Sequence, residues 1–427
     1  MYHNPQLAFQ PLSIQQAEQT HSLKKQLEYL LYHSPFYKNH LRNHHAVINS
    51  IQHTNDLVAL PTTTKEDIQR YNLEFLCVPK NQIKEYTATS GTLGKPVTIA
   101  LTSNDIQRLG YNEQHSFLCA SATHNDIFQL MLTLDRQFMA GMAYYNGISN
   151  IGAASVRTGP GLPSMQWETI QRLQVDSIVA VPSFILKLID YAKEHGIDVN
   201  ASPIKKAICI GENLREQDFS LNSLSKKIKD QWNIELYGTY AATEMQTAFT
   251  ECSFGVGGHE QPELIITEIL DEEGNQLPTR EFGEVTITTL GVEGMPLLRY
   301  RTGDIACFHD TACACGRHSK RLSPIKGRKQ QMIKFKGTTL YPPAIFDLLN
   351  QLEEVKEYVV EVAKDALQND SLKIYILGHD SDVLRAKLKA SLRVMPLLEF
   401  VTAEIIQKMQ FPLASRKQIR FIDKRDL

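Results

Sequence analysis

Two groups of residues in this chain have types and spacings that chemistry can use. The first is Ser90-Gly91-Thr92-Leu93-Gly94-Lys95-Pro96. Gly91 and Gly94 let the backbone curl and present N–H groups, Ser90 and Thr92 add hydroxyls, and Lys95 adds a charge. Such a loop suits phosphate. It is not the G-x-x-x-x-G-K-[ST] loop, because the glycine spacing differs and Pro96 follows the lysine. Alone, the segment reads equally well as an ordinary turn. The second group is rich in cysteine. Cys313-Ala314-Cys315-Gly316 is a tight C-x-C unit, and Cys252 and His259 lie on another loop, 251–260. Three thiols and an imidazole make a structural zinc composition. Cys252, His259, Cys313 and Cys315 are therefore expected to hold Zn²⁺, with no open position for catalysis. Cys307 is an alternative ligand, although its place after Asp304-Ile305 reads as strand. Reduced thiols without a metal are the plain alternative, and no cysteine reads as a nucleophile.

These groups need elements to position them. Residues 15–45 read as helical, with Leu23, Leu27, Leu30 and Leu31 on one face and a break at His33-Ser34-Pro35. Thr62 to Asp67 looks like a helix cap with an acidic first turn. The segments 83–87 and 97–100 are strand-like and flank the glycine loop as a hairpin would. From about 125 to 290, apolar runs at 153–156, 177–181, 207–210 and 235–237 alternate with helical patterns, which implies α/β architecture. The runs 264–269 and 283–289 flank Asp271-Glu272-Glu273-Gly274-Asn275 as a hairpin. A polar segment, Gly327 to Gln331, marks a boundary. Beyond it, helices are expected at 343–352 and 381–392 and strands at 358–363 and 372–377, making a small α+β domain.

The length of 427 residues calls for two or three domains. A formal charge of -2 gives no global reason to expect nucleic acid or an anionic membrane as partner. No run approaches the ~20 apolar residues of a membrane helix, and the first ten residues do not read as a secretory signal. The expected location is the cytoplasm. Seven cysteines in so long a chain are not a disulfide framework.

Placed in order, the remaining segments resemble one family. Thr89 to Pro96 resembles the phosphate loop of acyl-adenylate-forming enzymes, in particular the phenylacetate–CoA ligases, with Leu93 in place of a second threonine. Gly211-Glu212-Asn213 resembles the adenine-side segment. Tyr240-Ala241-Ala242-Thr243-Glu244 resembles Tyr-Gly-x-Thr-Glu, with Ala241 where glycine is usual; a register starting at Tyr237-Gly238-Thr239 lacks the Thr-Glu pair. Tyr300-Arg301-Thr302-Gly303-Asp304 resembles Tyr-x-Thr-Gly-Asp. Gly327-Arg328 and Lys334-Phe335-Lys336-Gly337 resemble the elements that follow it. Ala414-Ser415-Arg416-Lys417 resembles the segment of the catalytic lysine, with Arg416 in place of glycine.

The resemblance covers essentially the whole chain, and what it implies is specific. The fold is α/β, the adenylate-forming fold, with an AMP-binding domain over 1–328 and a mobile α+β domain over 329–427. The glycine loop would hold the ATP phosphates. Tyr240 would stack near adenine, Thr243 touch the α-phosphate, Glu244 hold Mg²⁺, Asp304 and Arg328 bind the ribose, and Lys417 stabilise charge during adenylation. Lys424 is a distant alternative for that lysine. A hinge would lie at Gln330, where an acidic residue is usual. Phe138, Met139, Met142, Tyr144 and Tyr145 fall in the segment that lines the acyl site, with Gly141 and Gly147 giving room. The expected reaction activates a carboxylic acid, phenylacetate or another aryl acid, to acyl-AMP and passes it to coenzyme A. Bile, fatty and amino acids stay open. So do a carrier-protein phosphopantetheine acceptor, a non-catalytic nucleotide- or acyl-adenylate-binding protein, and a homodimer.

Overall fold

The computed structural model describes residues 3–89, 97–365, 368–412 and 418–425. The chain divides into two compact units. One comprises Met1–Leu221, Ser225–Thr302 and Ala306–Pro324; the other comprises Asn222–Leu224, Gly303–Ile305 and Ile325–Leu427.

The first unit is organised by a nine-stranded sheet. Strands Ala154–Arg157, Ile127–Leu130, Ser177–Ala180, Lys206–Ile210 and Glu235–Ala242 lie side by side and parallel. Thr247–Glu251 and Gly258–His259 then continue the sheet antiparallel, followed by Arg321–Leu322 and Phe308–His309. The inner parallel strands Ile127–Leu130, Ser177–Ala180 and Lys206–Ile210 are short and largely buried, as strands covered by helices are. Helices Pro163–Leu173 and Pro182–Glu194 each begin with proline, whose missing N–H costs nothing at a helix start. Trp167, Trp232, Ile178, Ile185 and Leu188 pack together beneath them. Helices Ser103–Cys119 and Met139–Ile151 supply a second core through Phe117, Tyr144 and Ile148 against Phe128 and Val179.

A second sheet pairs Ile265–Leu270 antiparallel with Gly283–Thr289, and Tyr300–Ala306 is the next neighbour. Asp271 closes the turn between the first two by accepting from the Asn275 N–H at 2.7 Å. The expected helix cap is real. Thr64 Oγ1 accepts from the Asp67 N–H, and Asp67 Oδ2 accepts from the Thr64 N–H at 2.9 Å. The first helix ends at His33, and Ser34 caps a separate short helix, Pro35–His40.

The second unit has a four-stranded sheet in the order Leu397–Phe400, Asp370–Gly378, Val355–Lys364, Phe421–Asp423. Helices Pro342–Asn350 and Asp382–Leu392 contribute Ile345, Leu349, Leu384 and Leu388 to its core. The outer strands and helix Ala403–Gln410 are additions to the sequence reading. Among the described residues no helix is long and apolar enough to cross a membrane.

Candidate nucleotide and metal sites

Ser90, Gly91, Thr92, Gly94 and Lys95 lie outside the described residues, as does Lys417. The frame of the glycine loop is described. Glu85–Ala88 pairs antiparallel with Thr98–Leu101. The Thr89 N–H donates to the Val97 carbonyl, and the Val97 N–H donates to Thr89 Oγ1, both at 3.0 Å. The hairpin is thus closed as far as Thr89 and Val97.

In the first unit, Gly211 follows strand Lys206–Ile210 with φ +76°. Glu212 turns back to the start of helix Pro182–Glu194, where its Oε2 accepts from the Ser183 N–H at 2.9 Å. That bond satisfies one of the unpaired N–H groups at the helix start with a carboxylate, which the helix dipole favours. Asn213 is half-buried beside it. Tyr240 stands opposite Phe249 across the ladder, with ring centroids 5.9 Å apart, and Ala241 is exposed. The strand stops at Ala242, and residues 243–246 form a turn. Thr243 is half-buried, and Glu244 is buried with its Oε1 accepting from the Tyr300 hydroxyl at 3.4 Å. A single carboxylate of this kind fits Mg²⁺, which keeps several waters and takes the rest of its ligands from phosphates.

Arg108 holds that turn, and its position in a helix gave no sign of it in the sequence. Arg108 is 1% exposed. It donates to the Gln246 carbonyl at 2.6 Å, to Thr247 Oγ1 at 3.1 Å, to the Leu264 carbonyl at 2.6 Å and to the Leu290 carbonyl at 2.8 Å. Burial pulls its pKa down to about 10 against the opposing pull of Asp105 and Glu263, so it stays charged at neutral pH. Arg108→Met should lower stability by about 3 kcal/mol or more in a denaturant titration, because each buried acceptor left without a donor costs about 1–3 kcal/mol. An unchanged midpoint would show that the four bonds carry no net weight.

In the second unit, Asp304 is buried, and Arg328 reaches its Oδ1 with Nε at 3.3 Å. Their backbones are register partners in an antiparallel pair. The ion pair itself is worth little, since Arg328 is half exposed. Gln330 lies in a short 3₁₀ turn, and its carbonyl accepts from Arg425 at 2.6 Å. Lys424 is engaged elsewhere, 2.7 Å from Glu361.

The expected acyl-site residues share helix Met139–Ile151 and its N-cap, Phe138. Tyr144 is in the core, edge-on to Phe117, while Phe138 is half-buried and Tyr145 exposed under the Arg157 guanidinium. Gly141 and Gly147 serve close packing. A Cβ on Gly147 would sit 2.5 Å from the Glu113 Cβ, and one on Gly141 would sit 2.6 Å from the Thr133 carbonyl oxygen. The room these glycines give is taken by neighbouring backbone.

The cysteine loops do meet. One ligand atom from each of Cys252, His259, Cys313 and Cys315 lies within 4.8 Å of all the others. Cys252 Sγ and Cys313 Sγ are 3.6 Å apart, and Cys315 Sγ is 3.5 Å from His259 Nε2. Burial raises the Cys315 thiol, but the His259 ring and Arg317 N–H groups outweigh it and bring the pKa down to about 5. That pull favours the thiolate, which is the ligand form. Ser319 Oγ, 3.4 Å from His259 Nδ1, orients the ring from outside the set. Cys307 is not in the cluster; its sulfur lies 3.7 Å from His309 Nε2. Cys119 packs against Cys252 and Cys313 as a thiol, its pKa raised by burial to about 12.

Comparison with known proteins agrees with this architecture. The family model described as AMP-binding enzyme matches residues 15–294. The chain is 26% identical to the phenylacetate–coenzyme A ligase of Thermus thermophilus, over 88% of this chain and 84% of that protein. It is also 26% identical to the phenylacetate–coenzyme A ligase of Escherichia coli K12, over 84% and 82%. Its fold is similar to a crystal structure of 2-hydroxyisobutyryl-CoA ligase in the postadenylation state. The TM-score there is 0.86 at 18% identity, covering 99% of this chain and 92% of the other. The large mixed α/β unit and the smaller α+β unit are the two parts of the adenylate-forming fold. The chain belongs to the AMP-binding enzymes of the acyl-adenylate-forming superfamily.

Proposed function

We propose that this protein is an AMP-forming acid–thiol ligase that activates a carboxylic acid as its acyl-adenylate and passes the acyl group to coenzyme A. The observation that carries the reading is Glu244. It is a buried carboxylate on a turn braced by Arg108 and Tyr300, within the span matched by the family. The carboxylate of the acid attacks the α-phosphorus of ATP, and pyrophosphate leaves. Mg²⁺ bound at Glu244 would neutralise charge on the departing phosphates. Thr243 contacts the α-phosphate, Tyr240 and the Gly211–Asn213 segment serve adenine, and Asp304 and Arg328 serve the ribose. Lys417 and the loop of Ser90, Gly91, Thr92, Gly94 and Lys95 complete the set from outside the described residues. Residues 329–427 form the mobile domain, turning near Gln330 between the two half-reactions.

Phenylacetate or another aryl acid is the proposed substrate. The two phenylacetate–CoA ligase relatives support it, as do the aromatic side chains of Phe138 and Tyr145. The cysteine cluster is proposed to hold structural Zn²⁺. Zinc bonds of about 2.3 Å to sulfur and about 2.0 Å to nitrogen at tetrahedral angles place two sulfurs about 3.8 Å apart and a sulfur and a nitrogen about 3.5 Å apart. The Cys252–Cys313 and Cys315–His259 separations are 3.6 Å and 3.5 Å, and all four ligand atoms lie within 4.8 Å of one another.

An ATP–pyrophosphate exchange assay across a panel of acids, followed by coenzyme A, tests the whole. Aryl acids should drive exchange, and coenzyme A should then yield a thioester and AMP. Exchange without a thioester would move the acceptor to a carrier-protein phosphopantetheine, and no exchange with any acid would favour a binding protein.

A further inference from the structure

We infer that Arg215 is a positioning residue through which the metal-binding loop fixes the adenine-side backbone. This rests on the nucleotide and zinc readings above. Arg215 comes two residues after Asn213, and its Nε lies 3.1 Å from both carboxylate oxygens of Glu251. Its Nη1 donates to the Phe219 carbonyl at 3.0 Å. Glu251 is the residue before the ligand Cys252, and its Oε2 also accepts from the Gly238 N–H at 3.2 Å. Gly238 stands two residues before Tyr240 on the same strand. One carboxylate therefore joins three segments: the loop after Gly211, the strand leading to Tyr240, and the metal loop.

The metal loop is shaped to receive this guanidinium. Gly255 has φ +59°, and its N–H donates to the Cys252 carbonyl at 2.9 Å. A Cβ at Gly255 would fall 2.0 Å from Arg215 Nη2 and 2.2 Å from its Cζ. The guanidinium thus lies against the backbone of the loop that carries Cys252. A Cβ at Gly238 would likewise press on the Glu251 carboxyl, at 3.2 Å. The side chains of Arg215 and Glu251 are 17% and 8% exposed, so solvent screens the pair only in part. Thr239 Oγ1 and Thr250 Oγ1, 3.0 Å apart, fasten the two strands one residue further along. With the metal in place, Cys252 pins Glu251. Glu251 and Arg215 in turn pin the segment that is to meet the base.

The test measures AMP affinity by calorimetry and ATP KM by pyrophosphate exchange, with folding checked by circular dichroism. Arg215→Ala should weaken AMP binding and raise ATP KM about tenfold, while kcat and the KM for the acid stay within about twofold. Chelator-stripped wild type should show the same shift, and stripping Arg215→Ala should add less than about twofold, because the two changes break one path. Glu251→Gln keeps an acceptor for Gly238 and should fall between, which covers the case in which Arg215→Ala does not fold. Unchanged AMP affinity in a folded Arg215→Ala or Glu251→Gln variant overturns the inference. So do substitution and stripping effects that multiply. AMP binding decides the matter even if no acid supports exchange, so failure of the ligase reading is told apart from failure of this one.

Discussion

Lys417→Ala is expected to slow acyl-adenylate formation by about 10²–10³-fold, the usual cost of removing one preorganised group from developing charge. The carboxylate of the acid and the α-phosphate are both anionic, so their approach needs a cation that the transition state feels more than the ground state does. ATP affinity should change little, because the phosphates have Lys95, the loop backbone and Mg²⁺ as other partners in the proposed site. Thioester formation from supplied acyl-AMP should also survive, since the domain motion proposed here carries the lysine away before that step. Single-turnover measurements of the two half-reactions separate these effects. Lys424→Ala is the control. Its ammonium is committed to Glu361, and its N–H to the Val362 carbonyl at 2.7 Å. Full loss in Lys424→Ala with normal adenylation in Lys417→Ala would reverse the assignment.

The second large effect concerns the metal. The purified protein should carry one zinc per chain by elemental analysis, and the double variant Cys313→Ser, Cys315→Ser should carry none. Loss of the metal should lower the thermal midpoint by on the order of 10 °C, taking a few kcal/mol of lost stabilisation at about 2–4 °C each. The reason is local. Cys252 and His259 are on one loop and its following strand, Cys313 and Cys315 on another, and a bound metal would close the loops across the sheet. Without it, three sulfurs and an imidazole would be left packed together with no shared partner. Acid should act in the same direction, because thiolates and imidazole take up protons as they let the metal go. A protein that is metal-free as purified and equally stable in the double variant would leave the cluster as packed thiols.

Much of this was legible in the sequence because it depends on order and local rules. Thr64 and Asp67 announce a capped helix, four of the five described parallel strands announce themselves as apolar runs while Ile127–Leu130 does not, and the cysteine loops announce a ligand set. The residues that were missed act through tertiary contacts. Nothing local in the sequence marks Arg108 as wholly buried or Arg215 as lying against Gly255. Strands Leu397–Phe400 and Phe421–Asp423 are too short to be marked by their own composition. They exist because Asp370–Gly378 and Val355–Lys364 offer edges to pair with. Gly141 and Gly147 suggested space, but the backbone that fills it comes from Thr133 and from helix Ser103–Cys119.

For the acyl site proposed above, that last contact limits how acid preference can be redrawn, by selection or by design. Gly147 sits so close to Glu113 that helix Met139–Ile151 cannot slide or roll on its neighbour without a collision. A library aimed at new acids should therefore vary the side chains at Phe138, Met142 and Tyr145 and keep Gly141 and Gly147 fixed. Variants at the two glycines would fail as folded proteins before their choice of acid could be assayed.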